Sequence, residues 1–253
     1  MCSRVCCHKW IDLWLIMKYI ASVSFGKDSL AMLLMLLEKK MQVDEVIFFD
    51  TTMEFKSIYV IRDRIKEILK TKDIQYTELK ANMPFLYNML EREVHTKSGE
   101  TQKGYGMCGG ICRWGTTEKE RIIKRYLKKK YGKGNYKEYV GIASDEAQRA
   151  TRKLKEGKLL PLVTEWNMTE KDCLNYCYKQ GYNWEETTRL YDILDRVSCW
   201  CCANKNKKEL NNMFRYLYSY YFARIMLLKQ IKENNENGSK VVKKAEEQFM
   251  KMF

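Results

Sequence analysis

The chain has 253 residues, 45% of them hydrophobic, enough to bury a sizeable core in one large domain or in one domain with a helical appendage. Only two prolines and thirteen glycines interrupt its long Lys/Glu/Leu/Met/Tyr stretches, which argues for helix and against a many-turned all-β architecture. With 46 basic against 32 acidic side chains the formal charge is +14, which attracts nucleotides and nucleic acids, although lysines on solvated helix faces give the same total.

Residues 1–15, with Cys2, Cys6, Cys7 and His8, fit no strand–helix alternation and read as an extension without metal, ahead of a natural start at Met17. The apolar stretch over 10–17 is short, carries Asp12 and lacks a small-residue cleavage site, so it is not read as a secretory signal. No window is long and apolar enough to cross a bilayer. A cytoplasmic, reducing compartment is therefore expected, in which the ten cysteines point to metal or redox chemistry before disulfides.

From Lys18 the pattern becomes regular. Residues 19–24 read as a short buried strand, 29–40 as a helix, and 43–49 as a second apolar strand ending at Asp50. A helix over 55–70 follows, with Ile58, Ile61, Ile65 and Leu69 on one face, and 74–79 supplies a third strand. A helix near 85–94, a Gly-rich polar loop over 97–110 and a strongly basic helix over 116–130 lead to a strand at 138–142 and a polar turn over 143–152. The chain then turns helical in short pieces, including 169–180, and from Lys205 three amphipathic helices are expected, the last over 239–253. Strands alternating with helices pair in parallel, so the fold class is α/β, a doubly wound, mostly parallel sheet over residues 17–204 with a helical C-terminal part over 205–253. Such sheets bind ligands beyond the carboxyl ends of their strands, where Ser24 and Asp50 stand.

The turn Ser24-Phe25-Gly26-Lys27-Asp28-Ser29 between the first strand and helix aims backbone N–H groups and a helix dipole at one place, which suits phosphate. Gly26 permits close approach, Lys27 adds positive charge, and Ser22, Ser24 and Ser29 offer hydroxyls. Asp28 would repel phosphates unless it orients the loop or holds a divalent cation, which points to magnesium. The Walker A pattern is not met, because Ala21 stands where its first glycine belongs.

Cys108-Gly109-Gly110-Ile111-Cys112 and Cys199-Trp200-Cys201-Cys202 are pairs short enough for two thiolates each to reach one metal. Cys108, Cys112, Cys199 and Cys202 would satisfy tetrahedral zinc or a 4Fe-4S cluster, with Cys201 a possible substitute, whereas buried cysteines without metal give the same pattern. Cys173 and Cys177, one helical turn apart, read as core. Tyr216, Tyr218, Tyr220 and Tyr221, interleaved with basic residues, suit stacking on bases but more commonly mark helix core. His95 is given no role.

The Ser-x-Gly-Lys-Asp-Ser turn resembles the PP-loop of the N-type ATP pyrophosphatases and the phosphoadenosine phosphosulfate (PAPS) reductase family. Phe48-Phe49-Asp50-Thr51-Thr52-Met53-Glu54-Phe55 is similar to the family's Phe-x-Asp-Thr-Gly segment, whose acidic and hydroxyl groups sit close to the nucleotide, with Thr52 in place of glycine. The segment from Gly141-Ile142-Ala143-Ser144-Asp145-Glu146 to Arg152 resembles its Gly-Ile-Arg-x-Asp-Glu-Ser segment, with Ala143 replacing arginine. The resemblance covers roughly residues 18–210. It implies an adenine nucleotide, ATP or an adenylyl sulfonucleotide, bound by Ser22, Ser24, Gly26, Lys27, Ser29, Asp50 and Thr51, with Arg149 and Arg152 facing an anionic substrate. Lys27 and Asp28 would act in catalysis, and some family members carry metal clusters while others do not. The implied activity is adenylation of a substrate for sulfur transfer, with a nucleic acid or a sulfur-donor protein as partner. Alternatives are sulfonucleotide reduction and a non-catalytic nucleotide- or nucleic-acid-binding module. The Glu-Cys-Gly-x-His segment by which sulfonucleotide reductases attack sulfur does not occur in this sequence.

Overall fold

In the computed structural model, residues 17–95, 99–105 and 112–234 are described. The Cys2/Cys6/Cys7/His8 group, Cys108 and the helix expected over 239–253 lie outside them.

Four strands pair in parallel in the order β3 (Gln75–Lys80), β2 (Glu45–Asp50), β1 (Lys18–Val23), β6 (Tyr136–Val140). The period of two along a strand sorts side chains to the two faces. Ala21, Val23, Val46 and Phe48 meet the apolar faces of α1 (Lys27–Glu38) and α2 (Lys56–Thr71). Ile20, Ile47 and Phe49 meet Ile123 and Leu127 of α4 (Lys119–Tyr131) on the other side. The helix face expected in α2 is the one that packs, since Ile58, Ile61, Ile65 and Leu69 are all buried. Every residue of β2 is buried, as expected of a strand covered on both faces, whereas β3 at the edge is polar and half-exposed. The sheet is thus the doubly wound α/β arrangement.

Connections run from β1 outward through β2 to β3, while β6 lies on the other side of β1, so the strand order reverses at β1 and β6. Gly141, just past β6, lies against the start of α1. A Cβ there would sit 2.5 Å from the Cα of Ser29, so only glycine allows this approach.

Three stretches differ from the sequence reading. The helix expected over 85–94 stops early as α3 (Phe85–Leu90), and a hairpin of β4 (Glu93–His95) with β5 (Thr101–Lys103) follows. Gly104, at φ +72°, closes that hairpin onto α3, its N–H reaching Arg92 O at 2.7 Å where a Cβ would strike the Met89 carbonyl. The polar turn over 143–152 contains α5 (Ala147–Lys155), a helix that buries only Ala150 and so carries almost no apolar signal. The basic helix begins with a π-turn over Arg113–Glu118 before α4.

Short α6 (Pro161–Thr164), then α7 (Glu170–Lys179), packed on α1, and short α8 (Leu190–Ile193) complete the wall beside the phosphate turn. α9 (Lys207–Tyr216) starts at a capping box of Asn206 and Glu209 and is followed by α10 (Tyr218–Asn234). The tyrosine stripe divides: Tyr221 is core, while Tyr216 and Tyr218 are exposed. No described helix is long and apolar enough to cross a membrane.

Candidate active site

β1 ends at Val23, and the chain reverses through Phe25, whose φ of 57° places a non-glycine residue in the left-handed region. Phe25 is held there from two sides. Its ring packs on Phe48 at 5.0 Å, and its carbonyl accepts a 2.7 Å hydrogen bond from Trp184 Nε1. Gly26 has an ordinary φ of −75° and stands as the N-cap of α1 without a capping side chain. Ser29 Oγ accepts from the Ser24 N–H and lies 3.1 Å from the Gly26 carbonyl, knitting the turn.

The cationic head expected to meet phosphate is already engaged. Lys27 Nζ contacts Glu170 at 2.5 Å and Asp28 at 3.6 Å, and the Lys27 backbone N–H donates to the Tyr191 hydroxyl at 2.8 Å. Burial lowers the Lys27 pKa, but Asp28 and Glu170 outweigh it and hold the ammonium above its ordinary value. Asp28 is pushed up to about 6, chiefly by burial and further by Glu170 and Glu146, against the opposing pull of Lys27. Its Oδ1 is buried without a hydrogen-bond partner. An orphaned carboxylate oxygen beside a phosphate turn fits a divalent cation.

The turn forms one wall of a cavity of about 380 Å³, which Cys112, Cys199, Cys201 and Cys202 also line. Trp200 N–H bonds to the Met53 carbonyl, anchoring the cysteine turn to the segment after β2. Cys199 Sγ lies 3.4 Å from Thr51 Oγ1 and donates to Glu54 Oε1 at 3.7 Å. Burial, with Glu54 adding, raises the Cys199 thiol well above its usual range and brings Cys201 to about 12. Lys119, the first residue of α4, lines the same cavity, its pKa lowered by burial against the opposing charge of Glu54.

The metal fit rests on donor chemistry. Three of the four expected sulfurs line one cavity, and the fourth, Cys108, lies outside the described residues. Among the described residues no three His, Cys, Asp or Glu side chains stand close enough to hold an ion. Cys112 Sγ accepts a hydrogen bond from the Gly115 N–H at 3.2 Å, so this sulfur is presented as an acceptor, as a ligand thiolate would be. The donors suit a soft metal in kind, and closing the set depends on Cys108.

Of the other residues expected at the site, Ser24, Gly26, Ser29, Thr51 and Arg149 line the cavity. Ser22 does not, because its hydroxyl donates to Glu138 across the β1–β6 pair. Asp50 is 4% exposed and turned inward, accepting from Tyr59, the Thr52 N–H and Lys80, which fixes the turn in which Thr52 takes φ 63°. Arg149 is paired with Glu146 at the rim, and Arg152 is exposed and outside the lining. Cys173 and Cys177 are buried core residues, as read. Sequence reasoning missed Glu170, Tyr191, Trp184, Glu54 and Lys119. Only Glu54, within the Phe48–Phe55 segment though given no role there, and Lys119, heading the basic helix, stood at a recognised signal.

No curated protein matches this sequence significantly. The phosphoadenosine phosphosulfate reductase domain matches over residues 18–202, the span that carries the four parallel strands, the phosphate turn and the cysteine turn. The chain therefore belongs to the phosphoadenosine phosphosulfate reductase domain family, within the PP-loop class of nucleotide-binding proteins.

Proposed function

We propose that this protein binds ATP or a related adenylyl nucleotide with magnesium and adenylates an acceptor for sulfur transfer, nucleic acid being one acceptor class. The observation that carries this reading is the shared cavity, which the phosphate turn and the Cys199–Cys202 thiols both line. The phosphates take the N-terminus of α1, which Gly26 leaves without a side-chain cap, displacing Tyr191 from the Lys27 N–H, with Gly26 and Ser29 beside them. Asp28 holds the cation, which neutralises phosphate charge when bound. An acceptor oxygen attacks the α-phosphorus and pyrophosphate leaves. Lys27, exchanging Glu170 for phosphate, balances the charge developing on that leaving group. Sulfur then displaces AMP from the adenylated acceptor. Arg149, at the rim, meets an anionic part of the substrate.

Cys108, Cys112, Cys199 and Cys202 hold zinc or a 4Fe-4S cluster in this reading. Zinc would fix the wall, and a cluster would supply a site for sulfur or electrons. The second reading is sulfonucleotide reduction, in which a cavity thiolate attacks the sulfur of adenylyl sulfate and AMP departs. Burial raises Cys199 and Cys201 above the usual thiol range, so neither is a ready thiolate nucleophile.

The test uses the full chain purified anaerobically. With ATP, magnesium and bulk RNA or DNA, release of pyrophosphate and AMP supports adenylation. Sulfite release from adenylyl sulfate with thioredoxin replaces it by the reductase reading. Nucleotide binding with neither release reduces the protein to a binding module.

A further inference from the structure

The positive charge of the chain is concentrated beside the cavity. Residues 113–158 contain fifteen basic and six acidic side chains, and so hold nine of the fourteen net positive charges. Two helices in this stretch are joined, since Lys153 of α5 donates to Glu120 of α4 at 2.8 Å and pairs with Glu156 at 2.8 Å. Glu118 and Glu146, just ahead of α4 and α5, are committed to Arg121 and Arg149. Lys124 and Lys128 stand one and two turns beyond Glu120 on the same flank of α4, while Ile123 and Leu127 hold the helix to the sheet. Both lysines are exposed, as is Arg152 beside Lys153, and among the described residues none of the three has an acid partner. This face reaches the site itself. Lys119, the first residue of α4, and Arg149 both line the cavity and lie within electrostatic reach of each other. Lys124, Lys128 and Arg152 continue the positive surface away from it, with Lys128 about 12 Å along the helix from Glu120.

A row of cations whose neighbouring acids are already paired attracts a polyanion, and lysines meet phosphodiesters whatever the base. A duplex keeps its bases stacked, out of reach of a cavity of about 380 Å³, whereas a single strand can offer one unpaired nucleotide to it. We infer that the α4–α5 face is the docking surface for a single-stranded nucleic acid. Its phosphates lie on Lys124, Lys128 and Arg152, and one unpaired nucleotide passes Arg149 into the cavity. The inference rests on the adenylation reading above and narrows its acceptor to a strand held outside the nucleotide site.

The test follows the fluorescence anisotropy of end-labelled single-stranded RNA and DNA, each of about 20 nucleotides, with the full chain over a range of salt. Wild type is compared with Lys124→Gln/Lys128→Gln and with Lys70→Gln/Lys72→Gln, which removes the same charge at the end of α2, on the opposite side of the sheet. Each phosphate contact contributes about 0.7 to the slope of log affinity against log salt. The α4 variant is therefore expected to bind at least about tenfold more weakly at about 50 mM salt, with a slope smaller by about 1.4. The α2 variant should stay within about threefold of wild type. ATP affinity by calorimetry should be the same in all three, since none of the four lysines lines the cavity. Equal strand affinities in the three proteins, equal weakening in both variants, or a preference of wild type for phosphatidylserine vesicles over either strand overturns the inference. Pyrophosphate release from ATP and magnesium separates the two failures. Release that persists without strand binding overturns the docking surface and leaves adenylation standing, and strand binding lost only in the α4 variant, without release, upholds the surface and overturns adenylation.

Discussion

The indole nitrogen of Trp184 holds the carbonyl of Phe25 at 2.7 Å, across 159 residues of chain, and so pins the one left-handed residue of the phosphate turn. A bulky residue at positive φ persists only where its surroundings over-determine it. Trp184→Phe is expected to cost about 2 kcal/mol in urea unfolding, from the orphaned carbonyl and the lost volume. Nucleotide affinity should weaken further than the Lys27 and Ser29 side chains alone explain, measurable by calorimetry.

Asp28 makes stability depend on pH without nucleotide. Its folded pKa of about 6 lies above the ordinary 3.8, so the folded chain holds this proton more tightly than the unfolded one. Stability therefore falls as pH rises through the interval from about 4 to about 6, and the loss is complete above it. Asp28→Asn should unfold at higher urea near neutral pH, by roughly 2 kcal/mol after allowance for partial exposure, with the gain vanishing below about pH 4. Magnesium should raise wild-type stability and leave the variant unchanged.

Glu45 behaves oppositely at the far end of the sheet. It is fully buried and accepts from Thr77, Tyr126 and Tyr131 and pairs with Lys130 at 3.0 Å. Burial raises its pKa, but these partners outweigh it and leave the pKa lowered. Its contribution is therefore present above the ordinary carboxylate pKa and lost as pH falls through the lower folded value. Glu45→Ala should cost about 3 kcal/mol at neutral pH and leave nucleotide affinity unchanged.

The cysteines separate by role. Cys173→Ser puts a hydroxyl into a fully buried site on α7 and should cost about 2 kcal/mol while metal content stays the same. Cys202→Ser should leave metal-free stability within about 0.5 kcal/mol and abolish metal retention. Metal analysis beside urea unfolding checks both.

The α/β alternation, the phosphate turn and the α2 face were legible because they are local: a period, a glycine-containing turn and a cap occur within a few residues. α5 was not, since a helix burying only Ala150 shows no apolar stripe. The β4–β5 hairpin was hidden because its register depends on Gly104 meeting Met89, a tertiary contact. Glu170 and Tyr191 reach the turn from 143 and 164 residues away, and no spacing rule spans such distances. The motif segments identified the right neighbourhood for Ser22 and Asp50, but strand pairing sent one side chain to Glu138 and the other to Tyr59 and Lys80.

Glu170 and Tyr191 already occupy the donors of Lys27 that a phosphate would use. At Lys27, nucleotide association is therefore a substitution: a phosphate oxygen that arrives displaces an oxygen already in place. Little net hydrogen bonding is gained, and selectivity follows from how well the newcomer reproduces a geometry the empty protein holds for itself. Both placeholders belong to the α7–α8 side of the site. A ligand that evicts them removes two of the contacts that tie Lys27 to those helices, while the apolar packing of α7 on α1 remains.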